Sequence, residues 1–224
     1  MARGTSGKIQ ISFNDKLKNL YSLNKIAYAD DGLLTQDSVD YLKHCFRSDG
    51  IRTGERNASH TKRHDGRLSD TDMIEALYIP NAETGKTKAI VTQFPNERTQ
   101  WTAIIDTICD HSDNYLGFHA DSNVPDGTRF QYTTESDIDI HNGTDMVGWT
   151  RANGFLYKCD TEGYVSVVTN RDKHAPLGIT IQTAYPGIAY DPKDDTEQSQ
   201  TMKSKLPSYI RQQYMKLESA DYRD

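Results

Sequence analysis

The chain has 224 residues with 26 Lys and Arg against 32 Asp and Glu, a formal net charge of −6, and its pI is near 5.6 with a mean hydropathy of −0.76. That balance excludes a protein that coats nucleic acid through bulk positive charge, but not an enzyme that grips a few phosphates in one cleft. No apolar stretch approaches the roughly 18–20 residues needed to span a bilayer. The first residues, "MARGTSGKIQISFN", lack the apolar core of a secretory signal, and the scattered Cys45, Cys109 and Cys159 suit neither a disulfide framework nor a paired zinc spacing.

The first 55 or so residues read as a separable helical segment. In "TQDSVDYLKHCFRS" (35–48), Val39, Leu42, Cys45 and Phe46 fall at helical spacing, and turn formers follow. "LSDTDMIEALYIP" carries a helix start, with Ser69 at the N-cap, Asp72 three residues on and Leu68 placed to staple against Met73; Pro80 ends it. "TKAIVTQF" (87–94) reads as a strand. In "NERTQWTAIIDTICDH", Asn96 is the cap and Trp101, Ile104, Ile105 and Ile108 repeat at i, i+3, i+4 and i+7. Residues 110–150, rich in Asp, Gly, Asn and Thr, read as long loops or a weak hairpin that includes "TRFQYTT". "GFLYKC", the turn "DTEG" and "YVSVVTN" then predict a hairpin, followed by the bend "RDKHAPLG" and the strand "ITIQTAY". A charged linker leads to a terminal helix, "LPSYIRQQYMKLES", striped by Tyr209, Ile210, Tyr214 and Leu217. Helices first and an antiparallel sheet last predict an α+β fold, with a helical segment over 1–55, the main domain over 56–190 and a linker plus helix over 191–224.

The densest titratable cluster is "ASHTKRHDGR" (58–67), which holds His60, Lys62, Arg63, His64 and Arg67. Histidine moves protons near neutrality, and Arg and Lys beside it suit a phosphate. A solvated basic segment at a helix start explains the same residues equally well. A metal site is disfavoured: a zinc protease would put Glu after the first histidine, where Thr61 stands, and no third ligand is visible. Further on, strand alternation through "LGITIQTAYP" sets Ile179, Ile181, Thr183 and Tyr185 on one side, two apolar anchors followed by two hydroxyls at the strand's end.

Taken together, "SHTKRHDGRLSD", "TDMIEAL", "IVTQF", "NERTQWTAI" and "VVTNRDKHAPLGITIQTAYP" resemble, in that order over residues 58–187, the bacterial RNase A-like toxin domain found at the C-termini of contact-dependent growth-inhibition and related polymorphic toxins. Members show a "G-H-T-x-x-x-H-V-G-K-S-D" motif before a short helix and a last strand close to "T-A-Y-P". The resemblance implies an RNase A-like or barnase/EndoU-like antiparallel sheet and a metal-independent ribonuclease without cofactor. It also implies an RNA substrate, a cognate immunity protein, and delivery as an effector into a target cell's cytoplasm. Carried over by residue, the catalytic histidine falls on His64, with His60 as the motif's first histidine, and Thr183 and Tyr185 match directly. The family's helix arginine falls on Ala76, and the histidine spacing is one residue shorter. Arg67 or Arg63 are the substitute cations, and Lys62 and His174 are further substrate-side candidates, His174 also as a second proton carrier.

Two other readings stay open at this stage. One is a non-catalytic protein- or nucleic-acid-binding module, favoured by the missing helix arginine and the acidic charge. The other is an EndoU-like ribonuclease, which expects two catalytic histidines and a lysine.

Overall fold

Thr35 begins helix α1 (Gln36–Cys45): its hydroxyl accepts the Ser38 amide at 3.3 Å, with Asp37 in the first turn and Lys43 and His44 in the last. Both charge placements complement the helix dipole. Helix α2 (Asp70–Tyr78) starts from a reciprocal cap, the Ser69 amide bonding Asp72 Oδ2 at 2.8 Å and the Asp72 amide bonding Ser69 Oγ at 3.2 Å. A short strand β1 (Ile90–Thr92) follows. Then Asn96, in extended backbone, accepts the Thr99 amide at 2.9 Å and launches α3 (Glu97–Asp110). The computed structural model describes residues 25–46, 64–78, 90–111, 124–136, 147–152, 155–159, 163–187 and 214–215, with Gly85, Lys88 and Thr161.

The remaining strands are β2 (Arg129–Glu135), β3 (Gly148–Ala152), β4 (Phe155–Cys159), β5 (Tyr164–Arg171), β6 (Ile179–Pro186) and β7 (Tyr214–Met215). They form two antiparallel sheets, ordered β1-β3-β4-β7 and β2-β5-β6. The fold is therefore α+β, as the element order predicts. Each sheet covers one helix. Trp101, Ile104, Ile105 and Ile108 of α3, all at 0 % exposure, pack with Val165, Val167, Ile179, Ile181 and Ala184 of the three-stranded sheet. Met73, Ile74 and Leu77 of α2 pack with Val91, Trp149 and Leu156 of the other, and Leu68 joins them as the expected staple. Each fully buried aliphatic side chain contributes roughly 1.5–3 kcal/mol of transfer free energy. Among the described residues no helix is long and apolar enough to cross a membrane.

Several expectations are corrected. "GFLYKC" and "YVSVVTN" do not form a hairpin: β4 pairs with β3 and β7, while β5 pairs with β2 and β6, so the turn between them passes from one sheet to the other. "TRFQYTT" is a full strand, matched residue for residue to β5 from Arg129↔Asn170 to Glu135↔Tyr164. Tyr214 and Met215 pair with β4 as a strand rather than lying in a helix; the rest of that expected helix lies outside the described residues. The four-residue row on β6 is also broken. Register runs Arg171↔Ile179 and Thr169↔Ile181, then Val168↔Thr183 and Ser166↔Tyr185, leaving Gln182 unmatched as a bulge. One inserted residue reverses the alternation. Ile179, Ile181 and Ala184 therefore face α3, while Thr183 and Tyr185 turn to the opposite face.

Residues 25–46, the described part of the expected N-terminal segment, share the larger core. Leu34, Val39, Leu42 and Phe46, all at 0 % exposure, belong to the same cluster as Trp101. Arg98 of α3 holds Asp31 through both Nη atoms at 2.9 and 2.8 Å and donates to the Leu34 carbonyl at 2.7 Å. The sharing has a measurable consequence. Leu42→Ala is expected to lower global stability by about 2–5 kcal/mol. Far-UV circular dichroism and tryptophan fluorescence should follow one shifted denaturation curve. An early N-terminal transition with the main midpoint unmoved would contradict this.

Candidate active site

His64 opens the turn "HDGR". Gly66 there has φ +86°, and a Cβ on it would stand 2.2 Å from the Pro95 carbonyl oxygen, so only glycine lets the turn press against residue 95. The His64 carbonyl accepts the Phe94 amide at 2.7 Å, and its ring Nδ1 lies 2.5 Å from the Thr92 carbonyl oxygen. A carbonyl only accepts, so Nδ1 carries the proton and Nε2 holds the lone pair of the neutral ring. Gln93 clamps the same segment: its Nε2 donates to the Leu68 carbonyl at 2.7 Å and its Oε1 accepts the Leu68 amide at 3.0 Å.

Thr92 reaches the second sheet as well. Its hydroxyl donates to the Pro186 carbonyl at 2.6 Å, so the end of β6 is held beside the histidine. The Tyr185 ring thus lies 5.7 Å from the His64 ring, centroid to centroid, tilted by 45°. Thr183 is two residues earlier on the same face, about 7 Å along the strand. Its hydroxyl is buried and has no hydrogen-bond partner among the described residues. The Tyr185 hydroxyl accepts Gln131 Nε2 at 3.4 Å. Burial pushes this phenol above its ordinary 10.0, against smaller opposite effects of hydrogen bonding to Gln131 and Ser166 and of the Arg129 charge. It is a protonated donor at any neutral pH.

The adjacent Asp65 has a side chain only 1 % exposed, and Arg67 Nε meets its carboxylate at 2.9 Å. Burial raises this carboxyl from its ordinary 3.8, with the Arg67 charge opposing and the Glu97 charge reinforcing. Arg67 is also 3.9 Å from Glu97 Oε1, which Lys43 of α1 meets at 2.5 Å. The guanidinium nominated for the phosphate is thus engaged with two carboxylates.

The structure brings His64 and Tyr185 together, with Thr183 two residues from Tyr185 on the same face of β6. It does not bring His174 to them. That side chain is exposed in the β5–β6 turn, its amide bonded to Asp172 Oδ1 at 2.8 Å. About 20 Å of strand separates Ile179 from Tyr185, so His174 is at the wrong end of β6 for a proton carrier. His60, Lys62 and Arg63 lie outside the described residues. Ala76, where the helix arginine is missing, packs against the smaller core. Sequence reasoning passes over Thr92, Gln131 and Arg129. The last two carry a legible signal: in "TRFQYTT", Arg129, Gln131 and Thr133 alternate with Phe130, Tyr132 and Thr134, a two-faced strand pattern.

No protein-family model and no curated protein matches the chain. Among solved structures, the chain is similar to the crystal structure of a CdiA-CT/CdiI complex from Y. kristensenii 33638. The match has 16 % identity and a TM-score of 0.41, and covers 56 % of this chain and 95 % of that one. That likeness is too slight to fix an activity.

Two outcomes follow from this geometry. Thr92→Val leaves the Pro186 carbonyl without its donor, an expected loss of about 1–3 kcal/mol. It should also shift the ring-current-sensitive NMR signals of His64 and Tyr185, whereas a distant stability loss alone would not. For Asp65, a folded pKa above the unfolded one means its contribution is full below the ordinary carboxylate range and is lost as pH rises through the folded value. Asp65→Asn should therefore gain on the wild type in denaturant midpoint from pH 3 to pH 6; a constant difference would refute it.

Proposed function

We propose that the chain is a metal-independent endoribonuclease that cleaves RNA through its own 2′-hydroxyl and acts as a bacterial toxin. The observation that carries the reading is the juxtaposition of His64 with Tyr185, 121 residues later in the sequence. Beside them the Thr183 hydroxyl is buried and unpartnered among the described residues. RNA transesterification needs a base for the 2′-OH and donors for the charge that builds on the phosphate. His64 supplies the first: with Nδ1–H donated to Thr92, Nε2 takes the 2′-OH proton. The 2′-oxygen bonds to phosphorus as the bond from phosphorus to the 5′-oxygen breaks. The products are a 2′,3′-cyclic phosphate and a 5′-hydroxyl, which takes its proton from water; the imidazolium returns its own to solvent. Thr183 and Tyr185 donate to the non-bridging oxygens. Lacking a 2′-hydroxyl, DNA is spared.

The ordered resemblance from "SHTKRHDGRLSD" to "TAYP" supports the toxin role. It also supports a cognate immunity protein as partner and delivery into the cytoplasm of a target cell. The net charge of −6 leaves room for a local phosphate grip, because net charge does not set the field in one cleft.

Purified protein is expected to cleave total RNA, and not DNA, equally well with and without EDTA. His64→Ala should lose about 100-fold or more in rate. Tyr185→Phe and Thr183→Val should each lose about ten-fold or more, as for removal of a transition-state donor. Expression in bacteria should arrest growth with the wild type and not with His64→Ala. RNA binding without cleavage would mark a binding module, and full activity in His64→Ala would remove the site assignment.

A further inference from the structure

We infer that Arg129 is a positioning residue of this site: acting through the Gln131 amide, it orients the Tyr185 phenol as a hydrogen-bond donor toward a bound phosphodiester. The inference rests on the ribonuclease reading and deepens it by naming what fixes the direction in which Tyr185 donates.

The register places the three residues on one face. Arg129 is opposite Asn170, Gln131 opposite Val168, and Val168 in turn opposite Thr183, with Ser166 between Thr133 and Tyr185. Arg129 Nη2 donates to Gln131 Oε1 at 3.2 Å, and Gln131 Nε2 donates to the Tyr185 hydroxyl at 3.4 Å. Direction in this chain is not arbitrary. A guanidinium only donates, so it selects the amide rotamer with Oε1 toward Arg129 and Nε2 toward the tyrosine. The phenol oxygen then accepts from Gln131, so its one O–H acts as a donor, resting on the Ser166 oxygen and free to turn to a bound phosphate. On the other side, the Ser166 hydroxyl donates to the Gly187 carbonyl at 2.7 Å and is 2.7 Å from Thr133 Oγ1, so Thr133 is its donor. Both neighbours of the phenol are thereby held by partners of their own. The charged and titratable groups facing Tyr185 are Arg129 from β2 and His64 from the turn. Without Arg129 the Gln131 amide can flip, present Oε1 to the phenol and accept its hydrogen bond.

The test uses the full chain and an RNA oligonucleotide substrate. Arg129→Met should lower kcat roughly three- to ten-fold with KM unchanged, the size of one neutral hydrogen bond. Gln131→Glu should lower kcat further, because a carboxylate only accepts and would hold the phenol's hydrogen bond for itself. Arg129→Lys should restore much of the rate, and thermal melting should confirm that all variants are folded. Wild-type kcat in Arg129→Met would overturn the inference, as would a raised KM with kcat intact, which would put the guanidinium on the substrate. A second readout needs no RNA. In protein labelled with 13Cζ-tyrosine, with the Tyr185 signal assigned through Tyr185→Phe, Arg129→Met should move the Tyr185 titration to higher pH. An unmoved titration would overturn the relay. If the wild type cleaves no RNA, the ribonuclease reading falls by itself, and the tyrosine titration still decides whether Arg129 acts on Tyr185.

Discussion

Thr92 is the residue on which the arrangement depends, because its carbonyl and its hydroxyl serve different parts of the chain. The carbonyl orients His64 through Nδ1, and the hydroxyl holds the Pro186 carbonyl at the end of β6. Thr92 is 4 % exposed, so neither bond competes with water. It ends β1, an edge strand of one sheet, and so joins that sheet to the other. Gly148, its partner across β3, makes the approach possible: a Cβ there would lie 2.2 Å from the Val91 carbonyl oxygen and 2.8 Å from Thr92 Cα.

The second constraint is the bulge at Gln182. A regular β6 would have to spend its alternation either on the core or on the polar face along its whole length. With one extra residue, Ile179 and Ile181 anchor the strand under α3 while Thr183 and Tyr185 lie on the other face, with Tyr185 beside His64. Bulges are common beside active sites because they re-aim side chains, at the cost of a local break in the ladder. The polar face they serve is finished by β2, whose Gln131 and Thr133 bond to Tyr185 and Ser166.

Charge is distributed unevenly around this centre. Asp65, buried beside His64, is neutralised by Arg67, and Arg67 leads through Glu97 to Lys43 on α1. The outer pairs are partly exposed and contribute little stability each. The inner carboxylate is costly to bury, and removing its partner would leave a charge with no solvent to screen it.

The sequence alone determined what depends on neighbours in the chain. The caps at Ser69 and Asn96, the apolar stripes of the three helices and the β character of residues 179–186 are local, set by a few adjacent residues, and all are found in the structure. His64, Thr183 and Tyr185 were legible as candidates because their residue types and order resemble a known pattern. Tertiary structure decided what depends on pairing between distant segments. Propensity does not say which strand a strand will join, so β4 and β5 read as a hairpin although they belong to different sheets. A bulge is defined only against its partner strand, so the facing of Thr183 and Tyr185 was hidden until β5 was placed beside β6. Thr92 is an ordinary residue in sequence. It matters because of what folding brings within hydrogen-bond distance of it.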